Sequence, residues 1–197
     1  MITVVDYGAG NLRSVRNTLE KLEVNHLVTN EPHAVRTAEK IILPGVGHFG
    51  QMVQALDRLE LREPLIERIA AGTPFLGICV GLQCLFESSE EAPGISGLGV
   101  FPGVIKRFGD GARVPQMGWN SLQRTAESRL LAEMNSEPFT YFAHSYYAPV
   151  IDATVATCTY TQPYSAVLER ANVFAVQFHP EKSGPVGLQV VRNFTDL

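Results

Sequence analysis

Residues 75–83, which read FLGICVGLQ, decide the fold. The first four residues form a short apolar run that predicts a buried strand, and the last four have helix-like spacing. Cys79 lies at the junction, with Gly77 and Gly81 two residues to either side. A sharp strand-to-helix turn strains its central residue, and small neighbours leave room for that residue. We therefore predict that Cys79 ends a buried strand and precedes the first turn of a helix.

The same alternation of strand and helix extends from this segment toward the N-terminus. β-rich runs and apolar residues at helical spacing predict, in turn, strands at 2–7, 25–29 and 40–43 and helices near 12–22, 52–59 and 61–71. Strands that alternate with helices form a parallel sheet, because each crossover helix packs back onto one of its faces.

Toward the C-terminus the pattern becomes β-rich, after a polar stretch at residues 88–97 that predicts a surface loop. Strands are predicted at 99–101, 104–108, 139–144, 154–160, 166–169 and 173–178. Pro102-Gly103 predicts a tight turn, and Val186, Val190 and Phe194 form the apolar face of a final helix. We predict one domain, residues 1–197: a three-layer α/β fold with a mostly parallel sheet, helices on both faces and an antiparallel β extension.

Composition limits the class of protein. The chain has 197 residues, 45% of them hydrophobic, and a net charge of −4, so no basic excess favours nucleic acid or anionic membranes. No apolar run approaches the ~20 residues of a membrane span, and the first residues lack the basic segment of a signal peptide. The three cysteines lack metal-ligand spacing and fit reduced thiols. We expect a cytoplasmic protein that binds no metal, nucleic acid or membrane.

Cys79 is a candidate nucleophile. At a helix N-terminus, the macrodipole and the free N–H groups favour the thiolate, which is the reactive form. The N–H of Val80 would then point at the carbonyl under attack and form half of an oxyanion hole. Taken alone, an inert buried cysteine is the commoner situation, but the glycines on both sides favour a functional one.

His179 and Glu181 form the second candidate cluster, in the stretch QFHPE at residues 177–181. His179 ends an apolar strand, and residues two apart in an extended chain point to the same side, so Glu181 can orient the imidazole. The alternative is a capping histidine and a solvated glutamate. Because the carboxyl ends of parallel strands face one crevice, we expect this pair to lie near Cys79.

Two further features support a reaction centre. Gln83 lies one helical turn after Cys79 and could hold the polar end of a substrate, although an exposed helix glutamine is an equal alternative. The turn PGVG at residues 44–47 follows a strand and could offer a second oxyanion N–H, from Val46 or Gly47. The alternative for this turn is a loop that simply needs glycines.

Residues 77–83 and 178–181 resemble the nucleophile and His-x-Glu motifs of the class I, triad-type glutamine amidotransferases. Within that family the resemblance narrows to glutaminase subunits of imidazole glycerol phosphate synthases and covers the whole chain. It rests on five motifs in order: DYGAGNL at 6–12, PGVGHF at 44–49, PQMGWN at 115–120, HSYY at 144–147 and HPEKS at 179–183.

The resemblance implies a function and roles for individual residues. The chain would hydrolyse glutamine and deliver ammonia, without a cofactor, to a (β/α)₈ cyclase partner in a heterodimer. That partner makes imidazole glycerol phosphate and an aminoimidazole carboxamide ribonucleotide in histidine biosynthesis. The implied roles are nucleophile for Cys79, base and acid for His179, orienting group for Glu181, and glutamine contacts for Gln83, His144, Ser145 and Tyr146.

The resemblance also implies a partner-facing surface that contains Asn11, Arg13, Trp119, Asn120 and Lys182. An ordinary core aromatic is an equal alternative for Trp119, and a solvated charge is the alternative for Arg13 and Lys182. Rival functions are a glutaminase for another synthase, such as those of vitamin B6, anthranilate or purine synthesis, a stand-alone cysteine hydrolase, and a catalytically dead regulatory subunit. An intact Cys–His–Glu set argues against the last of these.

Val46 departs from the family pattern, in which this turn is commonly glycine throughout. A positive φ is a rare conformation for a β-branched residue, so turning a backbone N–H toward the oxyanion costs conformational energy here. We expect the turn to rest in its unstrained orientation and the isolated chain to show little glutaminase activity.

Overall fold

The computed structural model describes residues 1–109, 111–134 and 137–197. Its strands are β1 (Ile2–Val5), β2 (His26–Thr29), β3 (Lys40–Gly45), β4 (Phe75–Cys79), β5 (Phe86–Ser89), β6 (Phe101–Arg107), β7 (Gln116–Ser121), β8 (Gln123–Arg124), β9 (Phe139–His144), β10 (Tyr146–Tyr147), β11 (Thr154–Thr159), β12 (Pro163–Arg170) and β13 (Val173–Val176). Its α-helices are α1 (Leu12–Lys21), α2 (Pro32–Arg36), α3 (Phe49–Arg58), α4 (Arg62–Ala70), α5 (Val80–Gln83) and α6 (Gly184–Thr195), and a 3-10 helix spans Pro180–Lys182.

An eight-stranded sheet with the order β2-β1-β3-β4-β13-β12-β11-β8 forms the centre of the fold. Its first five strands are parallel, and the last three add on antiparallel. Every residue of β1, β4 and β13 is buried, as expected for strands covered on both faces. The predicted parallel sheet with an antiparallel extension is confirmed.

Helices cover the two faces of this sheet. The chain moves outward from β1 to β2 and then back across to β3, so right-handed crossovers place α1 on one face and α2 on the other. The contacts agree, since α1 packs against α6, whereas α4 packs against α2 and α3. Val190 and Phe194 of α6 are buried, as the sequence predicts, and Val186 is half-buried.

Two small sheets, β10-β6-β5 and β7-β9, lie outside the central one. The predicted turn at Pro102-Gly103 is wrong, because both residues lie inside the single strand β6. The pairing with β5 skips a residue there, and Gly103 has φ +105°, so the two residues form a bulge. The predicted loop at 88–97 also begins too early, since β5 continues to the buried Ser89.

No helix in residues 1–109, 111–134 and 137–197 is long and apolar enough to cross a membrane.

Candidate active site

Cys79 ends β4 in a strained conformation. Its φ is +55° and its ψ is −109°, and Val80 begins α5 directly afterwards. The backbone next to Cys79 leaves no room for a side chain at Gly81, because a Cβ there would lie 2.1 Å from the carbonyl oxygen of Leu43. The predicted strand-to-helix turn, with glycines that make room for it, is confirmed.

The helix after Cys79 is one turn long. A helix this short has little macrodipole, so its effect on the thiol comes mainly from the N–H groups of the first turn, which have no intrahelical partner. The N–H of Val80 is one of these groups. The amide of Gln177 lies 3.7 Å from the Cys79 sulfur and is its hydrogen-bond partner.

His179 and Glu181 lie beside Cys79 because β13 pairs with β4 in parallel, with Val176 opposite Ile78. The imidazole Nδ1 is 2.9 Å from Glu181 Oε1, and only 4% and 3% of these two side chains are exposed. Asn11 Nδ2 donates to the same carboxylate oxygen at 3.4 Å. The pair is therefore buried and held in a fixed orientation.

This environment favours the protonated imidazole. Burial alone would lower the pKa of His179, but hydrogen bonds and charge interactions with Cys79 and Glu181 outweigh burial and raise the pKa to about 10. A positive imidazolium beside a thiol stabilises the thiolate, and it also holds a proton that can be given to a leaving group.

A cleft of about 350 Å³ joins these groups. It is lined by Val46, Gly47, Cys79, Val80, Gln83, Glu91, Pro115, Ala143, His144, Ser145, Tyr146, His179 and Lys182. Its volume lies in the range of small-molecule sites. The structure thus brings together the residues that the sequence proposes for nucleophile, base, oxyanion hole and substrate contacts. Glu181, the proposed orienting group, does not line the cleft and lies behind His179.

Gln83 is buried, so the alternative of an exposed helix glutamine is wrong. Its Nε2 donates to the carbonyl of Tyr146 at 2.8 Å and to Gln177 Oε1 at 3.1 Å. His144 Nδ1 lies 2.7 Å from the same Tyr146 carbonyl. Burial lowers the pKa of His144 to about 4, so this ring is neutral at pH 7 and acts as a donor to the carbonyl.

The turn after β3 does not present its Val46 N–H to the cleft as a free donor. That N–H donates to the hydroxyl of Tyr7 at 3.1 Å. Val46 is absent from the described non-glycine residues with positive φ, which are Glu23, Glu60, Cys79, Glu133 and Ala171. The turn therefore rests in the unstrained conformation that the sequence predicts.

The residues expected at a partner surface differ in their exposure and in their contacts. Trp119 is 56% exposed, so it is not a core residue, and its ring meets Tyr141 edge-on with centroids 6.2 Å apart. Lys182 lies over the same Tyr141 ring at 5.7 Å and borders the cleft. Arg13 is exposed. Asn120 is only half-buried but uses its amide within the chain, since Nδ2 donates to the carbonyl of Thr159 at 3.0 Å.

Sequence reasoning missed three residues of the site: Tyr7, Glu91 and Gln177. Glu91 reaches the cleft from the segment predicted to be a surface loop, and its carboxylate accepts the N–H of Phe49 at 2.7 Å at the start of α3. Gln177 lies two residues before His179, and only its three-dimensional contacts with Cys79 and Gln83 reveal that it belongs to the site. Within the described ranges no group of three or more His, Cys, Asp and Glu residues could hold a metal ion.

The sequence matches the model of one protein family, described as "Glutamine amidotransferase class-I", over residues 3–196. Solved structures share the fold at low sequence identity. A chain described as a glutamine amidotransferase superposes with a TM-score of 0.78 at 17% identity and covers 100% of this chain and 98% of its own length. A chain of PurLQS from Thermotoga maritima gives a TM-score of 0.75 at 20% identity, with coverage of 99% and 97%.

Several relatives are similar over the full length. The chain is 47% identical to the imidazole glycerol phosphate synthase subunit HisH of Methanothermobacter thermautotrophicus, covering 100% of this chain and 98% of that protein. Its identity to the subunit of the same name in Thermococcus kodakarensis is also 47%, with 100% of both chains covered. The chloroplastic imidazole glycerol phosphate synthase hisHF of Arabidopsis thaliana is 44% identical over 98% of this chain, which corresponds to 34% of that protein.

Proposed function

Because this chain belongs to the class-I glutamine amidotransferases, and within them to the family of HisH subunits of imidazole glycerol phosphate synthase, we propose that Cys79, His179 and Glu181 are its catalytic triad. The observation that carries the proposal is the meeting of Cys79 and His179 in one cleft, at the ends of adjacent parallel strands, with Glu181 buried against the imidazole.

The chain is the glutaminase subunit of such a synthase and serves histidine biosynthesis. It hydrolyses glutamine and passes the ammonia to the cyclase subunit, which makes imidazole glycerol phosphate and an aminoimidazole carboxamide ribonucleotide. The Arabidopsis relative, in which the matching region is 34% of a longer hisHF protein, supports this pairing of two catalytic units. In our proposal residues 1–197 act as one amidotransferase domain in the cytoplasm.

The first half of the reaction releases ammonia. The thiolate of Cys79 attacks the side-chain carbonyl carbon of glutamine, and the carbonyl π electrons move onto oxygen. His179, whose raised pKa keeps it protonated, gives its proton to the amide nitrogen. The C–N bond breaks, ammonia leaves, and a glutamyl thioester on Cys79 remains.

The second half regenerates the enzyme. The neutral imidazole of His179 takes a proton from water, which attacks the thioester carbon. Collapse of the tetrahedral intermediate breaks the C–S bond and releases glutamate. Glu181 stabilises the imidazolium that forms in each cycle and keeps Nδ1 protonated, so that the other ring nitrogen exchanges protons with the reactants.

Glu91 is our candidate for binding the α-ammonium group of glutamine. The substrate carries a positive ammonium, and Glu91 supplies the one carboxylate among the residues that line the described cleft. The carboxylate is held by the N–H of Phe49, so its position is fixed before substrate arrives. Gln83 and His144 fix the Tyr146 carbonyl, and with Ser145 this segment forms the wall against which glutamine lies.

The oxyanion is stabilised by two backbone donors in this proposal. Val80 contributes its N–H from the first turn of α5, and the turn Val46–Gly47 contributes the second donor after its Gly45–Val46 peptide reorients. Removal of one such donor costs about 10²–10³ in rate, so the resting turn keeps the subunit nearly idle. The partner-facing surface that would trigger the change contains Asn11, Arg13, Trp119, Asn120 and Lys182.

Cys79→Ala in the assembled synthase tests the proposed nucleophile. We expect loss of glutamine-dependent synthesis, while synthesis from added ammonium salts continues because the cyclase has its own active site. Cys84→Ala is the matched control, since Cys84 is an equally buried thiol outside the cleft lining.

Glutamine turnover by Cys79→Ala within about tenfold of wild type, only ~1.4 kcal/mol in barrier, would show that Cys79 is not the nucleophile. Turnover of glutamine by wild type with no glutamine-dependent synthesis in the complex would instead favour a stand-alone hydrolase.

A further inference from the structure

Tyr7 joins the end of β1 to the proposed oxyanion turn. Its ring is buried, and its hydroxyl lies between two successive peptides of the turn. The hydroxyl oxygen accepts the N–H of Val46 at 3.1 Å, and the hydroxyl donates to the carbonyl of Val46 at 3.3 Å. One side chain thus contacts both peptide groups whose orientation decides whether a donor faces the cleft.

The hydroxyl keeps its proton under all ordinary conditions. Burial raises the pKa of Tyr7 to about 12, since it outweighs the lowering effect of the hydrogen bond with the Val46 backbone, and the nearby thiols and Asp6 act in the same direction as burial. A neutral hydroxyl can donate and accept at the same time, whereas a phenolate could only accept. Both contacts with Val46 are therefore present together at neutral pH.

We propose that the Tyr7 hydroxyl is a latch, a positioning group that holds the oxyanion turn in its resting orientation. The inference rests on the proposed function, in which the N–H of Val46 must face the developing oxyanion. A hydrogen bond is strong only when its N–H points at the acceptor, so donation to Tyr7 competes with donation to the oxyanion. The hydrogen bond from the Val46 N–H to the Tyr7 hydroxyl therefore stabilises the resting orientation and is lost in the active one.

The chain also provides a way to release the latch. Tyr7 leads directly into the exposed residues Gly8 and Ala9, and then to Asn11, which touches the triad glutamate. Tyr7, Gly8, Ala9 and Val46 line a second cleft of about 270 Å³, which opens on the surface. A partner that displaces this loop moves the hydroxyl away from Val46 and removes the hydrogen bond that favours the resting turn.

Tyr7→Phe tests the latch, because it removes the hydroxyl and keeps the buried ring. In the isolated subunit we expect the basal rate of glutamate release to rise about threefold to tenfold, the equivalent of one net hydrogen bond. In the complex with the cyclase and its nucleotide substrate, we expect an unchanged kcat and an unchanged KM for glutamine. The activation by the partner should therefore shrink by the same factor as the basal rate grows.

Two variants serve as controls for this measurement. Tyr160→Phe also removes a tyrosine hydroxyl that donates to a backbone carbonyl, that of Arg113 at 2.8 Å, from a half-buried ring, and should leave the basal rate unchanged. Val46→Gly should raise the basal rate, since glycine adopts positive φ without penalty. If only Val46→Gly raises the basal rate, the latch is wrong and the oxyanion assignment stands. If neither Tyr7→Phe nor Val46→Gly raises the basal rate, both the latch and the oxyanion assignment fail.

Hydrogen exchange of the Val46 amide gives a second, independent test that needs no activity. In folded Tyr7→Phe this amide should exchange faster than in wild type, while amides inside β3 keep their protection. Unchanged protection of Val46 in the variant would overturn the latch, because the N–H would then have another partner at rest.

Discussion

At the residue scale, the proposed triad depends on how Glu181 is held. One carboxylate oxygen contacts both His179 and Asn11, whereas Oε2 is buried and has no hydrogen-bond partner among the residues that the structure describes. A buried carboxylate with so few donors is poorly solvated, so its charge acts strongly on the neighbouring imidazole. Asn11 thus connects the loop after β1, on the proposed partner side, with the orienting group of the triad.

Glu181→Gln should shift the pH dependence of the reaction. The raised pKa of His179 keeps the general acid protonated well into the alkaline range. The substitution removes a negative charge that raises this pKa, so His179 loses its proton at lower pH. We expect the alkaline limb of kcat/KM for glutamine in the complex to move to lower pH, with a smaller loss of kcat than in Cys79→Ala.

The matched control is Glu67→Gln, whose carboxylate pairs with Arg36 on the surface and should not move the profile. An alkaline limb in Glu181→Gln that coincides with the wild-type limb would contradict the assigned role of Glu181.

Residue patterns indicated the three residues of the proposed triad, which the fold brings together, but not every residue around them. The glycines beside Cys79 and the spacing of His179 and Glu181 are local signals, so they could be seen in the sequence. Long-range packing brings Glu91 to the cleft and Tyr7 to Val46. The residues next to them in the sequence form no pattern that indicates these contacts. Their positions depend on which strands become neighbours, which spacing alone does not determine.

At the element scale, the close approach of β3, β4 and α5 builds the site. A Cβ on Gly45 would lie 2.3 Å from the N of Gly81, and one on Gly77 would lie 2.7 Å from the carbonyl oxygen of Gly81. These contacts allow the first turn of α5 to sit directly on the two strands. The strain at Cys79 is therefore maintained by packing on both sides of the turn.

Gly81→Ala should break this arrangement. The added methyl would lie 2.1 Å from the Leu43 carbonyl, which is backbone and cannot move cheaply. We expect the free energy of unfolding, measured with urea, to fall by about 2 kcal/mol or more. Gly109→Ala is the control, since its methyl would meet no atom of the described residues within 4 Å, and it should stay within about 0.5 kcal/mol of wild type. Equal stability of the two variants would mean that this close approach does not exist in solution.

Elements with a strong hydrophobic pattern were predicted correctly. Elements that contain an exposed apolar face or a bulge were not. β4 and β13 are continuous apolar runs, so their burial and type follow from the sequence. The strand β7 reads QMGWNS and reverses the usual pattern, since its apolar residues Met117 and Trp119 are exposed and its polar residue Gln116 is buried. The bulge at Pro102-Gly103 uses the residues that usually make turns.

At the scale of the whole molecule, catalysis and control occupy one end of the parallel sheet. Cys79 and His179 of the proposed triad, the turn Val46–Gly47 and Lys182 all line the same cleft, and Lys182 and the exposed Trp119 both pack on Tyr141. A glutaminase that works without its synthase wastes glutamine and releases ammonia to solvent. In the proposed account, the turn rests in an inactive orientation until the partner binds, and this links activity to assembly. The partner supplies the needed energy only if it binds the active orientation more tightly.

Glutamate release by the isolated subunit and by its complex with the cyclase tests this account most directly. The measurement compares the subunit alone, the complex, and the complex with the cyclase's nucleotide substrate, at the same glutamine concentration. We predict little activity in the isolated subunit and a rise of about 10²–10³ in the substrate-bound complex, the value of one oxyanion donor. Full activity of the isolated subunit would contradict the account, because the resting turn would then be no barrier to catalysis.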